Sequence, residues 1–255
     1  MTTNRLDGSL YTDIENRIAT LEFGHPASNS FPRILLDRLT KELNSLSENK
    51  EVSVIVLTSE GDKAFCGGAS FDELVAISTF EEGKAFFSGF ANVINAMREC
   101  SKIIIGCIQG KAVGGGVGLA AACDYVLATE AAAIKLSELT IGIGPFVIAP
   151  AVERKIGIAG LSELTLTATE WKNAYWAKEK GLYAKVFETQ HELNKEVNIL
   201  ASKLASYNPN SLAEMKNTLW KGTENWNSLL LERAEISGTL VLSDATKKAL
   251  EKFKK

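Results

Sequence analysis

The sequence predicts an α/β fold, about 190 residues of mixed structure followed by a helical tail. Three observations lead there. The stretches VSVIVLTS (52–59) and IIIGCI (103–108) are almost continuously apolar and β-branched, which suits strands covered on both faces. Between them, Phe86, Phe90, Val93 and Met97 recur at helical spacing over 81–99. Beyond about residue 170 the pattern is mostly helical.

Taken in order, LYTDIENRIATLEF (10–23) reads as two short strands around Glu15-Asn16-Arg17, with Ala19, Leu21 and Phe23 alternating with polar positions. A helix follows on the stripe Leu35, Leu39, Leu43 and Leu46. After the two buried strands, DYVLATE (124–130) and AAIKL (132–136) suggest two more. In the tail, Leu193, Val197, Leu200 and Leu204 form one stripe. Pro209 suits the first turn of the next helix, with Leu212, Met215 and Leu219 behind it. WNSLLLERAEISGTL and ATKKALEKF read as two further helices. Such a tail either packs on its own core or supplies a subunit interface.

The chain has 255 residues, 45% hydrophobic and 23% charged, enough for the core of one large domain or of a domain with an appendage. A net charge of −3 gives no basic field for nucleic acid, so an anionic ligand must be held by local groups. The start MTTNRLDGSLYTD is polar and lacks the apolar stretch of a secretory signal. The longest apolar run, around 112–123, is mostly Gly and Ala and falls short of a membrane span. Cysteines 66, 100, 107 and 123 contain no CxxC pair, and with only His25 and His191 a zinc site is not expected. They read as reduced, buried residues of a cytoplasmic protein, with Cys66 the one candidate thiol nucleophile. Trp171, Trp176, Trp220 and Trp226 read as core or interface residues, and the basic end EKFKK as a solvated terminus or, alternatively, a basic tail near a phosphate-bearing ligand.

Two glycine-containing turns stand out. DKAFCGGASFDEL (62–74) follows the strand at 52–59, and KAVGGGVGLAAACD (111–124) follows the strand at 103–108. In a parallel α/β sheet, ligands bind beyond the carboxyl ends of strands, where both turns fall. Glycines there let main-chain N–H groups reach a ligand oxygen. One reading makes these groups an oxyanion hole. A second takes GVGLAA (116–121) as a dinucleotide fingerprint, but about six residues separate Gly118 from Asp124, too few for the helix that a Rossmann unit needs. A third takes both as tight turns without a ligand.

Together the two turns resemble the crotonase (enoyl-CoA hydratase/isomerase) superfamily. The likeness rests on Ala64-Phe65-Cys66-Gly67-Gly68-Ala69-Ser70-Phe71, Gly114-Gly115-Gly116, Ala122-Cys123-Asp124 and Ser137-Glu138 with Gly142 and Pro145 downstream. It continues through Ala174, Ala177, Gly181 and Leu182, and spans roughly residues 10–190. The resemblance implies a crotonase-like spiral of ββα repeats with a C-terminal helical region. Residues 1–195 would form the acyl-CoA-binding core and 196–255 a helical oligomerisation region. It also implies a homotrimer or homohexamer, an acyl-CoA thioester ligand, and no cofactor beyond the coenzyme A of the substrate. The N–H groups of Ala69 and Gly115 would hold the thioester oxygen. Residues 64–71, among them Ala64, Phe65, Ser70 and Phe71, would run along the CoA, with Lys63 near a phosphate.

Chemistry at the α- or β-carbon of such a thioester moves negative charge onto its oxygen, and preset N–H donors stabilise that state more than the ground state. Glu138 matches a family glutamate able to take and return a proton. Familiar hydratases carry a second glutamate where this chain has Gly118, and Asp where it has Ser70. PFVIAP (145–150) is similar to bacterial methylglutaconyl-CoA hydratases and related enzymes, with Gly118, Pro145 and Phe146 expected at the substrate pocket. Hydration of an enoyl-CoA in fatty or branched-chain acid catabolism is therefore expected. Double-bond isomerisation is the alternative, and a non-catalytic acyl-CoA- or protein-binding member the reading from another class. Lys84 and Arg98 are spare cations that read as solvated helix residues.

Overall fold

The computed structural model describes residues 7–252; MTTNRL at the start and the last three residues of EKFKK lie outside the described residues. Strands β1 (Ser9–Glu15) and β2 (Ile18–Gly24) form an antiparallel hairpin. Its two loop residues, Asn16 and Arg17, both have positive φ (50° and 67°), matching the twist that two-residue hairpins need. Ala19, Leu21 and Phe23 face inward with no exposure, as their alternation requires. Helix α1 (Arg33–Glu48) buries Leu35, Leu39, Leu43 and Leu46.

From β2 the main sheet continues in parallel through β3 (Val54–Ser59), β5 (Ile103–Ile108), β7 (Tyr125–Thr129) and β9 (Lys185–Phe187). The unbroken apolar runs now have their reason. Ile55, Leu57, Ile104 and Ile108 face the main core, whereas Val54, Val56, Ile105 and Cys107 face a second core under helix α7 (Gln190–Ala205), against Leu193 and Val197. Both faces of the sheet are covered.

A second sheet has three short parallel strands, β4 (Ala64–Cys66), β6 (Lys111–Val113) and β8 (Ile134–Lys135). Each follows one strand of the main sheet and leads to helix. β3 and β4 run to α2 (Phe71–Ala76) and α3 (Phe80–Glu99), and β5 and β6 to α4 (Gly115–Ala122). β7 and β8 run to a 3-10 turn (Glu138–Ile141) and α5 (Ala149–Leu166). This is the spiral of ββα repeats that the sequence led us to expect. Helix α5 was hidden by PFVIAP, yet Pro150 falls in its first turn, where no intrahelical N–H is required.

After the short helix α6 (Ala174–Glu179), the tail comprises α7, α8 (Pro209–Leu219), α9 (Trp226–Leu240) and α10 (Asp244–Glu251). Position 195 falls inside α7, so the division suggested from sequence cuts a helix rather than a linker. The tail packs on its own core through Trp220, Trp226, Leu230 and Ala234. A Cβ on Gly83 of α3 would lie 3.0 Å from the Gly238 Cα of α9, so these two helices meet backbone to backbone. No helix among the described residues is long and apolar enough to cross a membrane.

One buried ion pair ties tail to spiral. Lys216 Nζ lies 3.0 Å from Asp124 Oδ2, with side-chain exposures of 1% and 2%. The same carboxylate accepts from Ile104 N (2.7 Å) and Trp220 Nε1 (2.6 Å), and Lys216 also donates to the Lys102 carbonyl (2.8 Å). Removing one partner would strand the other charge, so Lys216→Met should cost about 3–5 kcal/mol in chemical denaturation. A loss under 1 kcal/mol would show that water or another cation replaces it.

Candidate active site

The two glycine turns and the 3-10 turn meet at the carboxyl ends of β4, β6 and β8. Register does this: Val113 pairs with Lys135, and Gly114 N–H donates to the Lys135 carbonyl at 3.0 Å. A cavity of about 360 Å³ opens where they meet, lined by Ala69, Gly115, Glu138, Phe146 and Ile148 among others.

Ala69 sits opposite Phe31 in an isolated parallel bridge. The bridge consumes the Gly68 carbonyl (from Phe31 N, 2.8 Å) and the Ser70 N–H (to Phe31 O, 2.9 Å). In extended backbone, groups alternate sides, so the Ala69 N–H points away from that bridge. Gly115 is the first residue of α4, where helical N–H groups have no intrahelical acceptor. Neither N–H donates a hydrogen bond among the described residues. Both residues line the same cavity.

The glycine run is demanded by close packing. Gly114 has φ +53°, and a Cβ there would lie 2.8 Å from Glu138 Oε1. At Gly115 it would strike the Phe90 ring (2.2 Å), and at Gly116 the Cys66 backbone and side chain (2.7 Å). A Cβ on Gly68, φ +92°, would lie 3.7 Å from Gly115 N, which measures how near the two turns come.

Glu138 lies against this surface. Its Oε2 is shut from solvent with no hydrogen-bond partner among the described residues. Burial raises the carboxyl to about 7, opposed by a hydrogen bond from its own backbone. A carboxyl near neutrality can both take and return a proton.

Gly118 is where the structure departs from expectation. It is buried and does not line the cavity, and a Cβ there would lie 2.4 Å from Ile148 Cγ2. No space is left beside it. Ile148 forms the wall instead, and the sequence reading missed it because thirty positions separate the two residues.

The other predicted site residues divide. Phe71, Pro145 and Phe146 line the cavity. Ala64, Ser70 and again Ala69 and Phe71 line an adjoining cleft of about 430 Å³, which also shares Gly67 and Val113 with the cavity. Ser70 caps α2, its Oγ accepting from Glu73 N at 3.4 Å, a role that Asp fills equally well. Phe65 is fully buried, with its ring 5.3 Å from that of Phe23, so it is a core residue rather than a ligand contact. Lys63 is exposed and lines neither space. Cys66 is no nucleophile: burial pushes its thiol up to about 12.

The family's sequence model, described as enoyl-CoA hydratase/isomerase, matches residues 13–254. The chain belongs to the enoyl-CoA hydratase/isomerase family, within the crotonase superfamily. Among its relatives, the peroxisomal Delta(3,5)-Delta(2,4)-dienoyl-CoA isomerase of Arabidopsis thaliana is 31% identical over 75% of this chain and 76% of that protein. The short-chain-enoyl-CoA hydratase of Clostridium acetobutylicum is 27% identical over 94% of this chain and 92% of its own. Rat mitochondrial methylglutaconyl-CoA hydratase is 34% identical over 64% of this chain and 52% of that protein. The crystal structure of an enoyl-CoA hydratase from Bacillus halodurans superposes with a TM-score of 0.88 at 21% identity, covering 95% of this chain and 99% of the other. The fold is therefore that of the crotonase superfamily, with its spiral and helical C-terminal region.

Two outcomes follow for this crotonase site. Folded Glu138 holds its proton to higher pH than the unfolded chain does, so stability is lost as pH rises from about 4.5 to about 7 and changes no further above. Glu138→Gln should match wild type near pH 4.5 and exceed it at pH 8 by up to about 3 kcal/mol. Equal stabilities at both values would show the carboxyl to be unshifted. Gly118→Ala should lose about 1–3 kcal/mol through overpacking against Ile148. Combining it with Ile148→Ala should recover most of that loss, as melting curves would show.

Proposed function

We propose that this protein hydrates an enoyl-CoA, with Glu138 as its only acid–base group. The observation that carries the reading is the unpartnered, buried oxygen of Glu138 in a cavity shared with the main-chain N–H groups of Ala69 and Gly115. The thioester carbonyl accepts from both N–H groups. Glu138 takes a proton from water as the water oxygen bonds to the β-carbon. The electron pair of the double bond moves towards the thioester oxygen, giving an enolate held by the two amides. Glu138 then returns its proton to the α-carbon. One group suffices, because the proton removed from water is the proton delivered to carbon. Each amide contributes transition-state stabilisation of about 2.7–4 kcal/mol, by analogy with other oxyanion donors.

A second reading, double-bond isomerisation, is favoured by one feature. The apolar Ile148 occupies the wall beside Gly118, and nothing there would hold a water. The same carboxylate could move one proton from the α- to the γ-carbon without water. Of the three relatives described above, one carries an isomerase name and two carry hydratase names. As for assembly, we propose the trimer or hexamer implied by the family resemblance. Exposed Ile158 and Leu166 on α5 and Met215 and Leu219 on α8 offer apolar surface for it, and light scattering would read the mass.

Purified protein given a conjugated enoyl-CoA should yield a product heavier by one water. A non-conjugated isomer converted without change of mass would support isomerisation instead. Glu138→Gln should abolish turnover while retaining acyl-CoA binding, and undiminished activity would remove the mechanism. Because the base must be ionised, kcat/KM should rise with pH up to about 7 and then level.

A further inference from the structure

Lys111 and Lys135 project beside Trp171, and the family reading leaves these three residues without a role. Strands β6 and β8 pair Val113 with Lys135, and alternation along β6 puts Lys111 on the same face as Val113. Ala112 and Ile134 take the buried face. The two ammonium groups lie 5.0 and 4.7 Å from the centroid of the Trp171 ring, one indole serving both. Trp171 is 42% exposed, so the ring was not placed there to fill a core.

Neither lysine has an acid partner within ion-pair distance among the described residues. Lys84, Lys172, Lys180, Lys185 and Lys216 all do, as does Arg98, so Lys84 and Arg98 have partners elsewhere. Two like charges gathered on one ring repel each other, and an anion between them would relieve that repulsion.

Lys111 and Trp171 line the cleft of about 430 Å³ that joins the cavity at Ala69 and Val113. Ser28, Ser30, Ser70 and His25 also line it. Among the described residues that line it the one acid is Asp72, exposed on α2. Beyond the junction the cavity changes character, with Leu74, Phe87, Ile143 and Phe146 on its walls. Lys135 lines the cavity and Lys111 the cleft, so the two ammonium groups stand where the polar cleft joins the apolar cavity.

We propose that Lys111, Trp171 and Lys135 grip a phosphate of the ligand's CoA portion, the role that Lys63 was expected to play. This rests on the reading of the ligand as a CoA thioester. The lysines act as point charges towards phosphate oxygens, and the indole keeps the two ammonium groups together at this junction.

The test compares crotonyl-CoA with crotonyl-pantetheine, which has the same thioester but no phosphate. Wild-type protein should prefer the CoA thioester, and that preference should shrink with added salt. In a Lys111→Gln, Lys135→Gln variant the preference should fall by about tenfold or more, as expected for loss of charge-assisted hydrogen bonds. Trp171→Leu should lower it in the same direction. A double variant that keeps the wild-type preference overturns the proposal, as does equal weakening towards both thioesters. Calorimetry with free CoA separates this from the catalytic reading. If wild type binds CoA tightly without turning over any thioester, the hydratase reading fails, and a tenfold loss of CoA affinity in the variant still supports the site. If wild type binds no CoA, both fall.

Discussion

The parallel pairing of three very short strands is the constraint on which this molecule depends. β4, β6 and β8 are only two or three residues long, yet their register aligns the ends of three successive spiral turns. The hydrogen bond from Gly114 N–H to the Lys135 carbonyl fixes the second turn against the third. A slip by one residue would reverse the facing of Lys135 and carry Glu138 out of line with Gly114. The large sheet sets where these ends come to lie, because each short strand follows directly from one of its members. Fold and site are thus linked by connection length, not by contacts that a ligand would have to create.

Burial of Glu138 illustrates what such a site costs the fold. A carboxyl oxygen without a partner is destabilising when ionised, and the chain retains it at the junction of three turns. The same desolvation that penalises the charge brings its proton affinity near neutrality. Gly114 makes this possible by yielding the space a side chain would need. Ile148 adds an apolar stretch to the wall of the same cavity. Stability and reactivity are opposite readings of one arrangement.

Much of this was legible in the sequence, and the failures have physical causes. β3 and β5 declared themselves because both their faces are buried, and the leucine stripes of α1 and α7 because one face is. The triple glycine could be found because close backbone approach leaves glycine as the sole residue that fits, and Glu138 only through the resemblance of its segment to the family's. The short strands could not be seen: two or three residues carry no period. Phe65 was misplaced because alternation within β4 turns it to the core, while its neighbours Ala64 and Gly67 line the cleft. Gly118 was misread because its neighbour Ile148 arrives from another turn of the spiral.

The helical tail looks from sequence like an appendage, but it bears directly on the site. Thr246 of α10, with no exposure, shares its hydroxyl proton between the Leu240 carbonyl (2.9 Å) and the Gly142 carbonyl (3.0 Å). Gly142 ends the 3-10 turn that begins at Glu138, with φ +81°, and a Cβ there would meet the same hydroxyl at 2.5 Å. Ser237 of α9 reaches the cavity wall. Glu138 is thereby held from two directions, by β8 before it and by α10 after its turn. A carboxylate buried without a partner has every reason to swing towards water, and a single strand of two residues would not prevent it. The tail supplies the second restraint, through the contact of Thr246 with the residue that ends the turn.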